Sequence, residues 1–277
     1  MSIRDFKIND PDVGVTLLRK TRAPTNPERH FHSSWELFYL VSGTREFFLS
    51  GSSFSVEAGA FFSVPPERIH RGINRTGVCD LFNIYFQDPR DPWFLSLLPL
   101  LEQLSTREGS VLTVPEDRSP GVTRRLVLAG REMAGRRTGY LPLVRGILAQ
   151  LLTEMVRLKE KSPVPGGHDC MDPRIRRVLD WLSVRFREPV DLETAAELAA
   201  LSPSWFCRLF HRHTHFSFVE YLSGLRIQEA CRLLSSTERT AGEIAGLCGF
   251  GSITQFGRVF REITGQSPRE YRRRGED

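Results

Sequence analysis

The chain has 277 residues with 40% hydrophobic and 26% charged content, enough apolar mass for packed cores and too much for a disordered polymer. Its formal net charge is only +5, and residues 172–277 hold 16 Arg, no Lys and 14 Asp or Glu, so charge totals alone mark no part as a nucleic-acid binder. No apolar run reaches the length of a membrane span, and the opening MSIRDFKINDPDVG has no apolar signal core, so no membrane partner and a cytoplasmic setting are expected.

The five cysteines (Cys79, Cys170, Cys207, Cys231 and Cys248) are odd in number and form no CxxC pair, which predicts free thiols. In chain order, ELFYLVSG, REFFLSGSSFSV, GAFFSVP and CDLFNIYF are short, aromatic and β-branched, and are separated by Gly, Ser and Pro. They predict strands of a small barrel or sandwich over about 25–90. Helical spacing then takes over at 94–104, 121–137 and 141–161. The stripes Val122, Leu126, Leu128, Ala129, Met133 and Leu141, Val144, Leu148, Leu151, Leu152, Met155, Leu158 suit either internal packing or a dimer seam. KSPVPGGHDCMDP at 161–173 reads as a linker. The expected organisation is therefore an effector-binding and dimerisation part at 1–160, the linker, and a helical part at 174–277.

That helical part repeats itself. FCRLFHRHTHFSFVEY at 206–221 returns as FGRVFREITGQSPREY at 256–271, with Phe206/Phe256, Arg208/Arg258, Phe210/Phe260, Thr214/Thr264, Ser217/Ser267, Glu220/Glu270 and Tyr221/Tyr271 in register. Each copy predicts a helix, a tight turn and a second helix. Small Ala195/Ala245 and Ala199/Gly249 would allow close crossing, and Ser202 and Ser252 would cap the second helices. Phe206, Leu209, Phe210 and Phe256, Val259, Phe260 should be core. Ser204, Trp205, Cys207, Arg208 and Arg212 in one copy, and Ile253, Thr254, Gly257 and Arg258 in the other, should face outward. A helix seated in a major groove presents its N-terminal half to base edges, and two such helices about 34 Å apart reach successive grooves. Arg can bind guanine bidentately or grip phosphate. A solenoid fragment is the bland alternative, but solenoids need three or more repeats.

On these residues, notably LSPSWFCRLFHRHTHFSFVEYLSGLRIQEACRLL and IAGLCGFGSITQFGRVFREITGQSPREYR, the segment 175–274 resembles the DNA-binding domain of AraC/XylS-type transcriptional regulators. The resemblance implies seven helices and two helix-turn-helix units. It places DNA contacts at Ser202, Ser204, Trp205, Cys207, Arg208, Arg212, Ser252, Ile253, Thr254, Gly257 and Arg258, and it implies RNA polymerase as a partner. His215 stands where the pattern has glycine, as at Gly265. Ile253 and Thr254 suit thymine methyl groups better than adenine.

In the front half, His30-x-His32-x3-Glu36-x6-Gly43, then Gly59-x5-Pro65 with His70 and Asn74, resemble the two cupin motifs. The fold class expected is α+β: an N-terminal cupin-like barrel with appended helices, and a C-terminal all-α tandem helix-turn-helix. His30, His32, Glu36, Phe38 and His70 are the candidate effector-pocket residues. The same His30, His32, Glu36 and His70 could instead hold a divalent metal, which leaves a metal-binding cupin enzyme or metal-dependent sensor as the alternative. The reading adopted is a non-enzymatic, homodimeric DNA-binding regulator with no cofactor, controlled by a small molecule such as a sugar, and an activator of metabolic genes. Arg22, Arg45 and Arg71 could meet an anionic effector, but solvated faces are the expectation for them. The signal from the effector is expected to run through an N-terminal arm (residues 1–24) or the helices at 121–161.

Overall fold

The computed structural model describes residues 5–22, 34–49, 51–66, 68–86, 90–105, 111–161 and 171–276. The N-terminal half is a seven-stranded sheet of β1 (Phe6–Asp10), β2 (Val15–Arg22), β3 (Trp35–Leu49), β4 (Ser52–Glu57), β5 (Ala60–Val64), β6 (His70–Phe86) and β7 (Leu112–Thr113). The order is β1-β2-β6-β3-β5-β7, with β4 also on β3, and neighbouring strands are antiparallel. The sheet starts earlier than the sequence pattern suggests. Residues 6–22 form a hairpin paired to β6, so most of the expected arm is a built-in edge of the sheet. Asp10 of that hairpin also accepts from Arg136 at 2.8 Å.

β3 and β6 run side by side for nearly their whole length, with register shifts between Leu40 and Arg45. Gly43 sits there at φ 92°, and a Cβ would come 2.6 Å from Cys79 Sγ. An extra residue in one strand flips which side chains face which side. Leu37 and Tyr39 therefore face outward while Phe38 and Leu40 face inward, but beyond the bulge it is Phe47 and Leu49 that join the inner cluster. The bulge lets both halves of one long strand line the same interior.

The outer face of the first half is covered by α1 (Pro92–Leu104), α2 (Ser119–Gly135) and α3 (Tyr140–Lys161). Val122, Leu126, Ala129 and Met133 of α2, and Val144, Leu148, Leu151, Leu152 and Met155 of α3, are buried there. The apolar stripes are thus used for internal packing; Leu128 and Leu143 remain exposed. Among the described residues no helix is long and apolar enough to cross a membrane.

The C-terminal part holds α4 (Pro173–Arg185), α5 (Leu192–Leu198), α6 (Pro203–Thr214), α7 (Phe218–Ser236), α8 (Ala241–Leu247), α9 (Ile253–Thr264) and α10 (Pro268–Glu276). These are the seven helices the family pattern implies. Residues 162–170 of the expected linker, with Cys170, lie outside the described residues. The other four cysteines are free thiols, and burial pushes Cys248 up to about 12.

The repeated aromatic, threonine and capping residues have the same job in both copies. Phe206 meets Phe210 at 5.4 Å, and Phe256 meets Phe260 at 5.5 Å. Tyr221 lies edge-on to Phe210 at 5.7 Å, and Tyr271 to Phe260 at 5.6 Å. Thr214 and Thr264 each donate to the carbonyl four residues back at 2.8 Å. Ser217 with Glu220, and Ser267 with Glu270, exchange the reciprocal bonds of a capping box.

The turns correct two pairings, Ala195/Ala245 and Ala199/Gly249. Leu201 N–H donates to Ala196 O and Phe250 N–H to Ala245 O, both at 3.0 Å, so Ala196 corresponds to Ala245 and Ala200 to Gly249. The second turn is one residue longer than the first, and the fifty-residue register holds only from the capping serines onward. Ala200 carries the left-handed conformation at φ 54°, the counterpart of Gly249 at φ 80°. Left-handed backbone costs an alanine about 1 kcal/mol. Ala200→Gly is therefore expected to stabilise the chain by roughly 0.5–1 kcal/mol, after the looser unfolded state offsets part of the gain, as read by urea melts.

Candidate nucleic-acid interface and effector cavity

Two helices carry the surface that could read DNA. Ser202 caps α6 by accepting from Trp205 N–H at 3.4 Å, and Ser252 caps α9 by accepting from Gln255 N–H at 3.1 Å. A hydroxyl that accepts in a cap can still donate its own proton to a phosphate oxygen. Behind them Phe206, Leu209, Phe210 and Phe256, Val259, Phe260 are buried, as their spacing predicts. Ser204, Trp205, Cys207, Arg208 and Arg212 are exposed on α6; Ile253, Thr254 and Arg258 are exposed on α9, with Gly257 half-buried.

Two apolar side chains on these faces are strongly exposed, Trp205 at 45% and Ile253 at 58%; a thymine methyl or a sugar face would cover them. The two arginines are held differently. The Arg208 guanidinium lies 5.2 Å from the centre of the Trp205 ring, whereas Arg258 reaches Glu262 at 3.3 Å. α7 joins the two units as a continuous helix of 19 residues, about 28 Å long at 1.5 Å per residue.

The second site is inside the sheet. Glu36 and His70, expected together, are together: His70 Nε2 lies 3.1 Å from a Glu36 carboxylate oxygen, and both are buried. His70 Nδ1 is 2.8 Å from the Arg68 carbonyl, which requires the proton on that nitrogen. Phe38 lies in the same cavity, with Arg45, Phe47 and Asn83, around about 20 Å³ of free space, room for about one water. His30 and His32 lie outside the described residues. Among the described residues, no three His, Cys, Asp or Glu side chains come together to hold a metal.

The sequence reading missed Asn83 and misplaced two arginines. Asn83 donates through its amide nitrogen to Glu36 and, at 3.2 Å, to Tyr85. That fixes the amide orientation and leaves its buried Oδ1 without a partner. The signal was the alternation Leu81, Asn83, Tyr85 on β6, which points all three inward. Arg45 and Arg71, expected in solvent, are 7% and 5% exposed. Arg45 donates to the Gly72 carbonyl at 2.7 Å and stacks near Phe38 and Phe47, so aromatic faces and a carbonyl replace water around it. Arg71 points out of the sheet, toward α6.

Known proteins align with both halves. A family described as a helix-turn-helix domain matches residues 195–274, across both units, and a family described as a cupin domain matches residues 21–85. The HTH-type transcriptional activator RhaS of Enterobacter sp. (strain 638) is 27% identical over 261 residues, 89% of this chain and 87% of that protein. The protein of the same description from Escherichia fergusonii is also 27% identical, over 95% of this chain and 94% of its own length. The chain belongs to the AraC/XylS family of transcriptional regulators. A crystal structure of the DNA-binding domain of AdpA in complex with a target DNA aligns at 32% identity over 37% of this chain and 92% of that one, with a TM-score of 0.36. In this AraC/XylS-type chain Glu36 and Gly43 of the cupin motifs lie on β3 and His70 and Asn74 on β6, and the helix-turn-helix match begins within α5 and ends within α10.

Proposed function

We propose that the chain is a sequence-specific transcriptional regulator that reads double-stranded DNA with α6 and α9 and is controlled by a small molecule held in the cupin-like sheet. The carrying observation is the doubled unit: paired core phenylalanines, serine caps and closing tyrosine, with exposed Arg208 and Arg258 at matching positions. The division into an effector part at 1–160 and a DNA-binding part at 174–277 belongs to this reading. So do a cytoplasmic setting, activation through RNA polymerase, and a homodimer that would use exposed residues such as Leu128 and Leu143.

The cavity supports a sensor role. A hydroxyl-rich molecule such as a sugar has the donor that Asn83 Oδ1 lacks, and the cavity, which has room for about one water, would have to open between Phe38, Phe47 and Arg45 to admit its ring. In this reading Glu36 and His70 are polar ligand contacts, not a catalytic pair. A metal-dependent sensor or enzyme needs His30 and His32 as well, and is the weaker reading because Glu36 is already shared between His70 and Asn83.

Arg208→Ala tests the DNA reading. With a duplex selected by the protein from a randomised pool, the variant is expected to lose about 1–3 kcal/mol of binding and to relax preference at one base pair. Equal loss on all sequences with a shallower salt dependence makes Arg208 a phosphate clamp instead. Unchanged binding removes α6 from the interface.

A further inference from the structure

Strand alternation gives β3 and β6 two different audiences. Arg45, Phe47, His70 and Gly72 line the cavity. Their neighbours Glu46, Phe48 and Arg71, with Ile69 just ahead of β6, face the first helix-turn-helix unit. Phe48 is fully buried, edge-on to Phe216 at 5.9 Å and to Tyr221 at 5.7 Å. Arg71 donates to the His215 carbonyl, at the C-terminus of α6, and its guanidinium lies 4.3 Å from the centre of the Phe216 ring. A cation there also meets the negative end of the helix dipole. α7 comes so close that a Cβ on Gly224 would stand 3.1 Å from Ile69 Cδ1.

The internal repeat supplies a control. The second unit has Gly265 and Gln266 where the first has His215 and Phe216. Gly265 is exposed, whereas His215 and Phe216 are buried under the sheet. The first copy departs from the second at the residues the sheet touches.

One hydrogen bond joins the two faces. Arg45, inside, donates to the carbonyl of Gly72, the residue after Arg71. Gly72 fits there because it lacks a Cβ, which would lie 2.7 Å from Arg45 Nη2 and 2.8 Å from Phe47 Cε2. We propose that this shared wall is the route of regulation: the cavity acts on DNA binding through Arg45, the Gly72 peptide and the Arg71 clamp on the end of α6. The proposal rests on the regulator reading above and assigns its route to neither the β1–β2 hairpin nor α2 and α3. A ligand that draws the Arg45 guanidinium away from Gly72 changes the clamp, and so prefers one arrangement of the first unit over the other.

The test needs no identified effector. The full chain selects its own duplex from a randomised pool, and affinity is measured by fluorescence anisotropy for wild type, Arg45→Met, Arg71→Met and the double variant. Arg45→Met is expected to change the dissociation constant fivefold or more, and by less than twofold once Arg71 is already replaced. Phe47→Leu, a milder cavity-side change, repeats the cycle if Arg45→Met fails to fold by circular dichroism. The same shift in both backgrounds, or no shift from either cavity-side variant, overturns the proposal while leaving DNA binding intact. A chain that selects no duplex overturns the regulator reading itself, and this proposal with it.

Discussion

Gly249→Ala is expected to destabilise the C-terminal helices by about 3 kcal/mol and to abolish DNA selection by the second unit. Two costs add. Gly249 sits at φ 80°, where an alanine pays about 1 kcal/mol or more. Its Cβ would also stand 2.6 Å from the Arg187 carbonyl oxygen and 3.0 Å from the carbonyl carbon, and backbone cannot swing aside as a side chain can. Overpacking of this kind costs roughly 1–3 kcal/mol. Relief requires the segment after α4 to move away from the α8–α9 turn, which opens the angle between those helices. Gly251, two residues on, is the control: a Cβ there meets nothing within 4 Å. Gly251→Ala should leave the melting transition almost unchanged. Equal transitions for the two variants would mean that the turn yields without strain.

That contrast shows what a linear reading can and cannot supply. Phe206, Phe210, Phe256 and Phe260 were legible because helical period and a second copy gave the same answer twice. The inserted residue in the second turn was not legible, because the fifty-residue match is strong enough downstream to hide a slip upstream. Only the bonds from Leu201 to Ala196 and from Phe250 to Ala245 expose it.

The buried arginines mark a second limit. VTLLRKTR looks too charged for an inner strand, yet Arg19 donates to Asp80 at 2.9 Å and lies 5.1 Å from the centre of the Phe82 ring. Partners 61 residues away leave no local trace. Arg45 and Arg71 were assigned to solvent for the same reason. Each is buried beside aromatic rings and a carbonyl that only the fold brings near. Of the candidate cavity residues, Glu36 and His70 came from motif spacing. Asn83 did not, because no motif residue in the sequence points to it.

His215 carries the second large expectation, a loss of stability in acid. Its conformation is left-handed at φ 61°, so the residue is held there at a cost, and its imidazole is buried with Nε2 3.7 Å from a Glu46 oxygen. Burial, with Arg75, His211, Arg71 and His213 nearby, lowers its pKa to about 4 from an ordinary 6.5. Between those values the unfolded chain binds a proton that the folded chain refuses. Stability from this group is therefore complete above about pH 7, falls as pH drops through 6.5, and stops falling near 4. By about pH 5 the loss is on the order of 2 kcal/mol. His215→Gln keeps a polar side chain without the titration and should flatten that part of the profile. Urea melts of both proteins at pH 7 and pH 5 measure the difference directly. Parallel losses in wild type and variant would place the acid sensitivity elsewhere and leave His215 as a strained but electrically silent part of the wall.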